Sequence, residues 1–592
     1  MPRDPEQAVR QAVSASKLME YTRNIARWVR SSGSEPEARA FDYLETTLRG
    51  FGLDVHREQH DALISWPGKA SLEVVGTPPR DVECITHAFA APTPADGLEG
   101  EVVDLGAGEF GGQQHRGKIG LIDGLAMPAA ARAAEEAGLA AAIFINPPEL
   151  HEMIISTVWG APTPETLGRL PRLTAVSVRE PDGAVLRARA REGTLRVRIR
   201  AEVDTRWRET PILIADLRGR EDPERYVLFS GHVDSWHYGA MDNASANAVM
   251  LETARIMGKR RARLRRGIRY AFWSGHSHGR YSGSTWYADH HWEDIYRNAV
   301  LHLNVDSSGA KGASVMDESQ TMAETWASAA RAVKDVAGQD LGHRRIGRMG
   351  DQSFWGIGVP SMFGGVSVQP AGESAAGAAL ASLHGGPRTS GGLGWWWHTT
   401  DDTLDKIDRE NLRRDAEVYA LVLWRWCTAA VLPLDYRAAA AELGLALRNI
   451  QEAAGDGFDL SAPLDAVTRL TGAVDRLHAS AERVAASVGT GRGTRKQRDA
   501  ASLVNDTLMR AGRALIPINY TSTGAFDHDL AVPIPPIPVL QSGARLRGLS
   551  RGTDEYHALE TRLVRERNKI AHTIDAAADA IGHAIKHIDR GR

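Results

Sequence analysis

The stretch Gly231-His232-Val233-Asp234-Ser235-Trp236-His237-Tyr238-Gly239-Ala240-Met241-Asp242-Asn243 places two imidazoles and two carboxylates close together. A histidine and an aspartate two positions apart, after an apolar run, read as a metal ligand and the carboxylate that orients it. Asp242, ten positions after His232, can close on the same ion. Three later segments have the same character. Ser274-Gly275-His276-Ser277-His278-Gly279 carries two histidines beside glycines, Asn304-Val305-Asp306-Ser307-Ser308 carries an aspartate, and Trp395-Trp396-Trp397-His398-Thr399-Thr400-Asp401-Asp402 sets a histidine between aromatics and carboxylates. Each segment alone is compatible with an ordinary loop. Four of them at strand edges of one unit point to a metal centre.

The surrounding patterns supply those edges. Tyr226–Phe229, Ile212–Ala215, Ile268–Trp273 and Val300–Val305 are short apolar runs with strand character. Asn243–Met257 reads as a helix with Ala246, Val249, Met250, Ala254 and Met257 on one face. Strands alternating with helices predict an α/β fold with a mixed, largely parallel sheet flanked by helices, and ligands in such folds gather at the carboxyl ends of the strands. Ahead of this unit, Lys17–Leu63 reads as two helices and a strand. Residues 66–205 are dominated by short strands, including Ile119–Ile122, Ala142–Ile145 and Arg172–Val178, with one helix near Pro128–Ala137; this is a β-rich insertion with no catalytic cluster. Helices dominate from Leu432. The segment Gly489–Arg498 reads as a flexible loop, and the final helix, Glu555–Ile588, repeats Leu563, Ile570, Ile574, Ala577, Ile581 and Ile588 near a seven-residue spacing suited to helix packing, within the chain or across a dimer.

Bulk properties narrow the class. A chain of 592 residues requires several domains. A formal charge of −3 gives no footprint for nucleic acid, and the basic run Lys259–Arg266 reads as a solvated helix end. Two cysteines, Cys84 and Cys427, exclude a disulfide framework and fit a reducing compartment. The polar N-terminus and the absence of a long apolar run predict a cytoplasmic protein without a membrane span.

The motifs Gly-His-x-Asp-Ser-Trp…Met-Asp-Asn, Asn-x-Asp-Ser-Ser and Trp-His-Thr-x-Asp-Asp-Thr resemble the zinc-peptidase family of aminopeptidases and glutamate carboxypeptidases, in the architecture of glutamate carboxypeptidase and the transferrin receptor. The resemblance implies a phosphorylase/hydrolase-like peptidase domain in two parts, residues 1–65 and 206–431. It also implies a protease-associated domain at 66–205 and a helical dimerisation domain at 432–592, hence a homodimer. It implies that Asp242 bridges two metal ions, that His232 and Asp306 complete one site and His398 the other, and that Asp234 holds the second ring nitrogen of His232, with Asp402 in a similar role near His398. Trp397, Tyr520 and His528 are the implied substrate contacts.

One departure matters. The family carries Glu-Glu shortly before Gly-Ser-Thr, the first as general base and the second as metal ligand. Counting back from Gly283-Ser284-Thr285, those positions are Ser277 and His278. His278 can bind metal, whereas an unactivated serine hydroxyl takes no proton near neutral pH, so His276 is the nearest titratable proton carrier. One or two zinc ions are expected. Asp242, His278 and His398 would alternatively form a two-histidine, one-carboxylate set that also suits manganese or iron. The expected function is metal-dependent hydrolysis of an amide bond, in an exopeptidase or an N-acyl amino acid hydrolase, through metal-activated water. The rivals are a metal-dependent lyase and a catalytically degenerate receptor-like scaffold.

Overall fold

The computed structural model describes residues 4–76, 79–108, 110–348, 350–372, 390–489 and 493–590. Part of the expected 489–498 loop, residues 490–492, lies outside them, and the helix Arg495–Tyr520 begins within that span.

The fold is built on a mixed sheet. Asp222–His232 lies between Arg266–Trp273 and Ala299–Asn304, parallel to both, and Ala299–Asn304 runs parallel to Ser361–Met362. On the other side Arg196–Leu217 runs antiparallel to Arg266–Trp273 and to Asp54–Val74. Along Arg196–Leu217 the side chains alternate between two cores. Leu213, Ala215 and Leu217 join helices Ala15–Ala26, Glu35–Gly50, Ala246–Gly258 and Arg409–Thr428, while Ile212 and Ile214 pack with Tyr287 and Ile295 beneath Ser282–His290 and Trp292–Asn298. Apolar residues at nearly every position of Tyr226–Phe229 are what a strand covered on both faces requires.

The insertion differs from the β-rich expectation. Leu98–Asp104, Ile119–Asp123, Ala141–Asn146 and Thr174–Arg179 form a parallel sheet, edged by antiparallel Ile85–Thr86. Among the described residues this unit has, besides the single turn Pro164–Leu167, the expected helix Pro128–Glu136 and an unexpected one, Glu180–Glu192. The latter buries only Gly183 and Leu186, so it shows no apolar stripe in the sequence. A Cβ on Gly183 would lie 2.6 Å from Ile145, and glycine there allows the helix to approach the sheet. The insertion is mounted on a two-stranded ribbon, Asp54–Val74 against Arg196–Leu217, that runs unbroken out of the main sheet apart from a register shift between Pro67 and Ala70. The boundaries drawn at 66 and 205 fall inside this ribbon.

Beyond Leu432, helices Tyr436–Ala454, Ser461–Val488, Arg495–Tyr520 and Asp554–Arg590 pack together. The seam Leu563, Ile570, Ile574, Ala577, Ile581 and Ile588 is buried within the chain. Both cysteines are free. The basic run is largely engaged: Arg260 donates to Ala8 O and Ile256 O, Arg265 donates to Thr428 O, and Arg266 is buried with a bond to Trp426 O. Among the described residues no helix is long and apolar enough to cross a membrane. Because the seam is already covered, Ile574→Ala should cost about 2–5 kcal/mol, read as a lowered urea midpoint. A seam left open for a partner would show almost no change.

Candidate metal centre

Three neighbouring parallel strands end at one place. Asp222–His232 delivers His232, Arg266–Trp273 leads to His276, and Ala299–Asn304 leads to Asp306. The fourth contribution comes from the turn Ala240–Ser245, where Asp242 and Asn243 have non-helical backbone angles. This delays the helix to Ala246, three residues after the sequence-based start. The Asp402 carboxylate fixes the turn by accepting from the N–H groups of Met241 (2.8 Å) and Asp242 (3.0 Å). Burial raises the Asp402 carboxyl to about 7, with the charge of Asp242 adding to the effect.

His232 is buried. Its Nε2 lies 3.1 Å from Asp242 Oδ1 and 3.6 Å from Asp306 Oδ1, and His398 Nε2 lies 3.0 Å from Asp242 Oδ2. Yet His232 Nε2 and Asp242 Oδ1 have no hydrogen-bond partner. An imidazole and a carboxylate that meet at contact distance with no bond between them are disposed as ligands of a common cation. Nitrogen and oxygen donors of this kind fit zinc, so the site passes the test that the resemblance sets. Burial would lower the His232 pKa, but Asp306, Asp234 and Asp242 hold it well above the usual histidine range. Burial would raise Asp242, but His232 and His398 hold it well below the carboxylate range.

Each supporting contact has a definite source. His232 Nδ1 lies 2.8 Å from the backbone oxygen of Asp234 and 3.6 Å from its carboxylate. The orienting partner of His232 is therefore Asp234 O rather than the side chain. The Asp234 carboxylate accepts from Ser32 Oγ (2.5 Å), Ser277 N (2.8 Å) and His276 N (3.3 Å). His398 Nδ1 lies 2.6 Å from Glu152 O, so the insertion orients this histidine. Burial lifts the Glu152 carboxyl to about 8. His276 Nδ1 lies 2.9 Å from Asp351 Oδ2, and the His276 ring stacks on that of His232 at 3.7 Å. His278 is turned elsewhere. Its Nδ1 is 3.1 Å from Ser32 Oγ, its ring lies against Trp236, and burial lowers its pKa to about 4.

A cavity of about 510 Å³ opens onto the cluster, lined by Asp242, His276, Ser277, Asp306, Trp397 and His398. Trp397 stacks on His398 at 3.4 Å within a turn. Tyr520 and His528 are not brought to the cavity. Tyr520 is buried beside Trp355 with Arg345 over its ring, and His528 pairs with Asp289. The C-terminal segment reaches the cavity instead through Ala531–Ile534.

Sequence reasoning missed Ser32, Asp351, the Glu152 carbonyl and, above all, Arg30. This fully buried arginine donates to five carbonyls: Val233 (2.8 Å), Ile25 (3.2 Å), Trp28 (2.9 Å), Tyr238 (2.8 Å) and Gly239 (2.9 Å). It ties the N-terminal helices to the loop between His232 and Asp242. No motif announces it, since its partners are backbone atoms that meet only in the folded chain.

Comparison with known proteins agrees with this geometry. Residues 213–423 match the model of Peptidase family M28. The matched stretch holds His232, Asp242, His276, Asp306 and His398. Over the wider chain, the probable glutamate carboxypeptidase VP8 of Zea mays is 23% identical across 575 residues, covering 85% of this chain and 79% of its own. The aminopeptidase YwaD of Bacillus subtilis is 24% identical, covering 67% and 80%. In fold, the chain is similar to an aminopeptidase from Aneurinibacillus sp. strain AM-1 (TM-score 0.52, 20% identity, 71% of this chain and 95% of that one) and to a Peptidase M28 precursor from Shewanella amazonensis SB2B (TM-score 0.55, 19% identity, 71% and 95%).

Arg30→Ala would strip the donor from five carbonyls, and the three in buried bonds, Ile25, Val233 and Gly239, are each worth about 1–3 kcal/mol if left unsatisfied. A large drop in thermal midpoint is expected, with only partial rescue by Arg30→Lys, whose ammonium lacks the planar fork.

Proposed function

We propose that this protein is a zinc-dependent hydrolase that removes a terminal residue or acyl group from small peptides or amides, with a preference for substrates carrying a carboxylate. The observation that carries the reading is the convergence of His232, Asp242, Asp306 and His398 at the strand ends of the stretch that matches family M28, with His232 Nε2 and Asp242 Oδ1 buried and without hydrogen-bond partners. Zinc held at this cluster would polarise the scissile carbonyl and activate water.

The protein's own groups supply the rest. Met153 and Ile154 of the insertion and Ala531–Ile534 of the C-terminal segment wall the cavity around the cluster. A space of about 510 Å³ bounded by three segments suits a chain end better than the middle of a long polypeptide. Trp397 forms an apolar wall beside His398. Arg280 and Arg348 line the same cavity, and among the described residues neither has an ion pair with a carboxylate. Arg348 donates to the backbone oxygens of Gln352 (2.7 Å) and Asp529 (3.2 Å), while its Nε and that of Arg280 are buried without partners. Guanidinium groups held this way are ready to receive a substrate anion. Ser277, at the position of the resembled family's general base, offers a buried hydroxyl without a partner, so proton transfer is arranged differently here.

A panel of dipeptides and N-acyl amino acids assayed with and without chelator tests the reading. Turnover should vanish with chelator and fall at least about 100-fold in His232→Ala and Asp242→Ala; turnover indifferent to chelator would sink it. Arg348→Gln should raise KM for acidic substrates about tenfold with little change in kcat, the signature of lost uniform binding. Equal KM values for acidic and neutral substrates in the wild type would remove the proposed preference.

A further inference from the structure

We infer that this metal centre is organised around His276 and takes one tightly bound ion, held by His232, His276 and Asp306 and closed by Asp242. The inference rests on the preceding reading in one respect, that the site binds metal.

The first support is position. One ligand atom each from His232, His276 and Asp306 lie within 4.8 Å of one another. Two ligands at about 2.0–2.2 Å from one zinc ion stand no more than about 4.4 Å apart, so a small side-chain rotation closes the set. The imidazoles of His232 and His276 are already parallel, 12° apart in plane and 3.7 Å between centres.

The second support is which ring nitrogen is free. A histidine ligand is fixed by the hydrogen bond its other nitrogen makes to a carboxylate or carbonyl. His232 Nδ1 meets Asp234 O at 2.8 Å, and His276 Nδ1 meets Asp351 Oδ2 at 2.9 Å. Both arrangements place the proton on Nδ1 and leave the Nε2 lone pair for an ion. Asp351 is buried, 1% exposed, and its other oxygen has no partner, so its interaction with His276 is its evident use.

His278 is placed differently. Its Nδ1 meets Ser32, 3.1 Å from Oγ and 3.4 Å from the backbone nitrogen, and its ring lies against Trp236 at 4.2 Å. Among the described residues the ligand atoms that converge are those of His232, His276 and Asp306, and His278 is not one of them. The position of the resembled family's second glutamate is therefore structural in this chain. What remains beside His398 is a pair, His398 Nε2 and Asp242 Oδ2, 3.0 Å apart. Two protein ligands hold a divalent ion far less firmly than the three or four that structural and catalytic zinc sites use.

Elemental analysis of the full chain, reconstituted with zinc and freed of loose metal by gel filtration, tests the assignment without reference to turnover. The wild type, His278→Ala and His398→Ala should each retain about one equivalent. His276→Gln should retain almost none, and Asp351→Asn should lose about 10–100-fold in zinc affinity by chelator competition. Circular dichroism on each variant separates metal loss from unfolding, and the Asp351 variant keeps the test decisive should His276→Gln fold poorly. Cobalt substitution provides a second readout, with a visible spectrum unchanged in His278→Ala and altered in Asp351→Asn. Two retained equivalents in the wild type, loss of an ion in His278→Ala, or full retention in folded His276→Gln would overturn the inference while leaving a metallohydrolase. A wild type that binds no metal would overturn both readings together.

Discussion

The burial of several carboxylates around one histidine is the constraint on which the rest of this structure depends. Asp234, Asp242 and Asp402 are buried close to His232, and Asp306 reaches its Nε2 from the neighbouring strand. Uncompensated, such charges would be expensive to keep out of water. The chain answers in two ways. Backbone N–H groups are spent on Asp234 and Asp402, and the guanidinium of Arg30 is brought into the same region, where Asp402, Asp234 and Asp242 favour its charged form against burial. The oxygens left over face the place a divalent cation would occupy. Folding and metal binding are thus coupled through one electrostatic problem.

The same region explains why parts distant in sequence must meet. Arg30 and Ser32 come from the first helical segment, Glu152 from the insertion, Asp351 from a loop after the main strands, and Ala531–Ile534 from beyond the third helix of the C-terminal group. The insertion is further locked by Trp159, whose indole N–H donates to Ser353 at 3.0 Å while Arg348 lies over its ring at 3.7 Å. Gly160, with φ at +65°, sits where a Cβ would come within 2.6 Å of Thr285. The close approach of the insertion to the Gly283-Ser284-Thr285 helix therefore depends on glycine at that point.

The residues legible in the sequence were those delivered by regular elements. His232 and Asp306 follow apolar runs that could only be strands, and the helix after Asp242 announces itself by its spacing. Side-chain direction in the bend from Ser274 to Tyr281 was not legible. Counting from Gly283-Ser284-Thr285 gives a position for His278, but the turn sends His276 to the ligand cluster and His278 toward Ser32. Asp234 was found for a reason that proved half right, since its backbone rather than its carboxylate meets the ring. Arg30 and Asp351 were invisible because their significance lies entirely in tertiary partners. The helix Glu180–Glu192 was missed because glycine and charged residues leave it without a stripe.

The ribbon that carries the insertion also sets how the cavity can open. Asp54–Val74 and Arg196–Leu217 share an almost continuous ladder from one sheet to the next. Two bodies joined by a loop can swing apart freely, but two bodies joined by paired strands behave as a stiff cantilever. Any movement of Glu152, Met153 and Trp159 away from the metal ligands must then be a flexure, centred where the register slips between Pro67 and Ala70. Its amplitude is governed by the elasticity of hydrogen bonds that stay intact, so traffic through the site would be rationed by stiffness rather than by a latch.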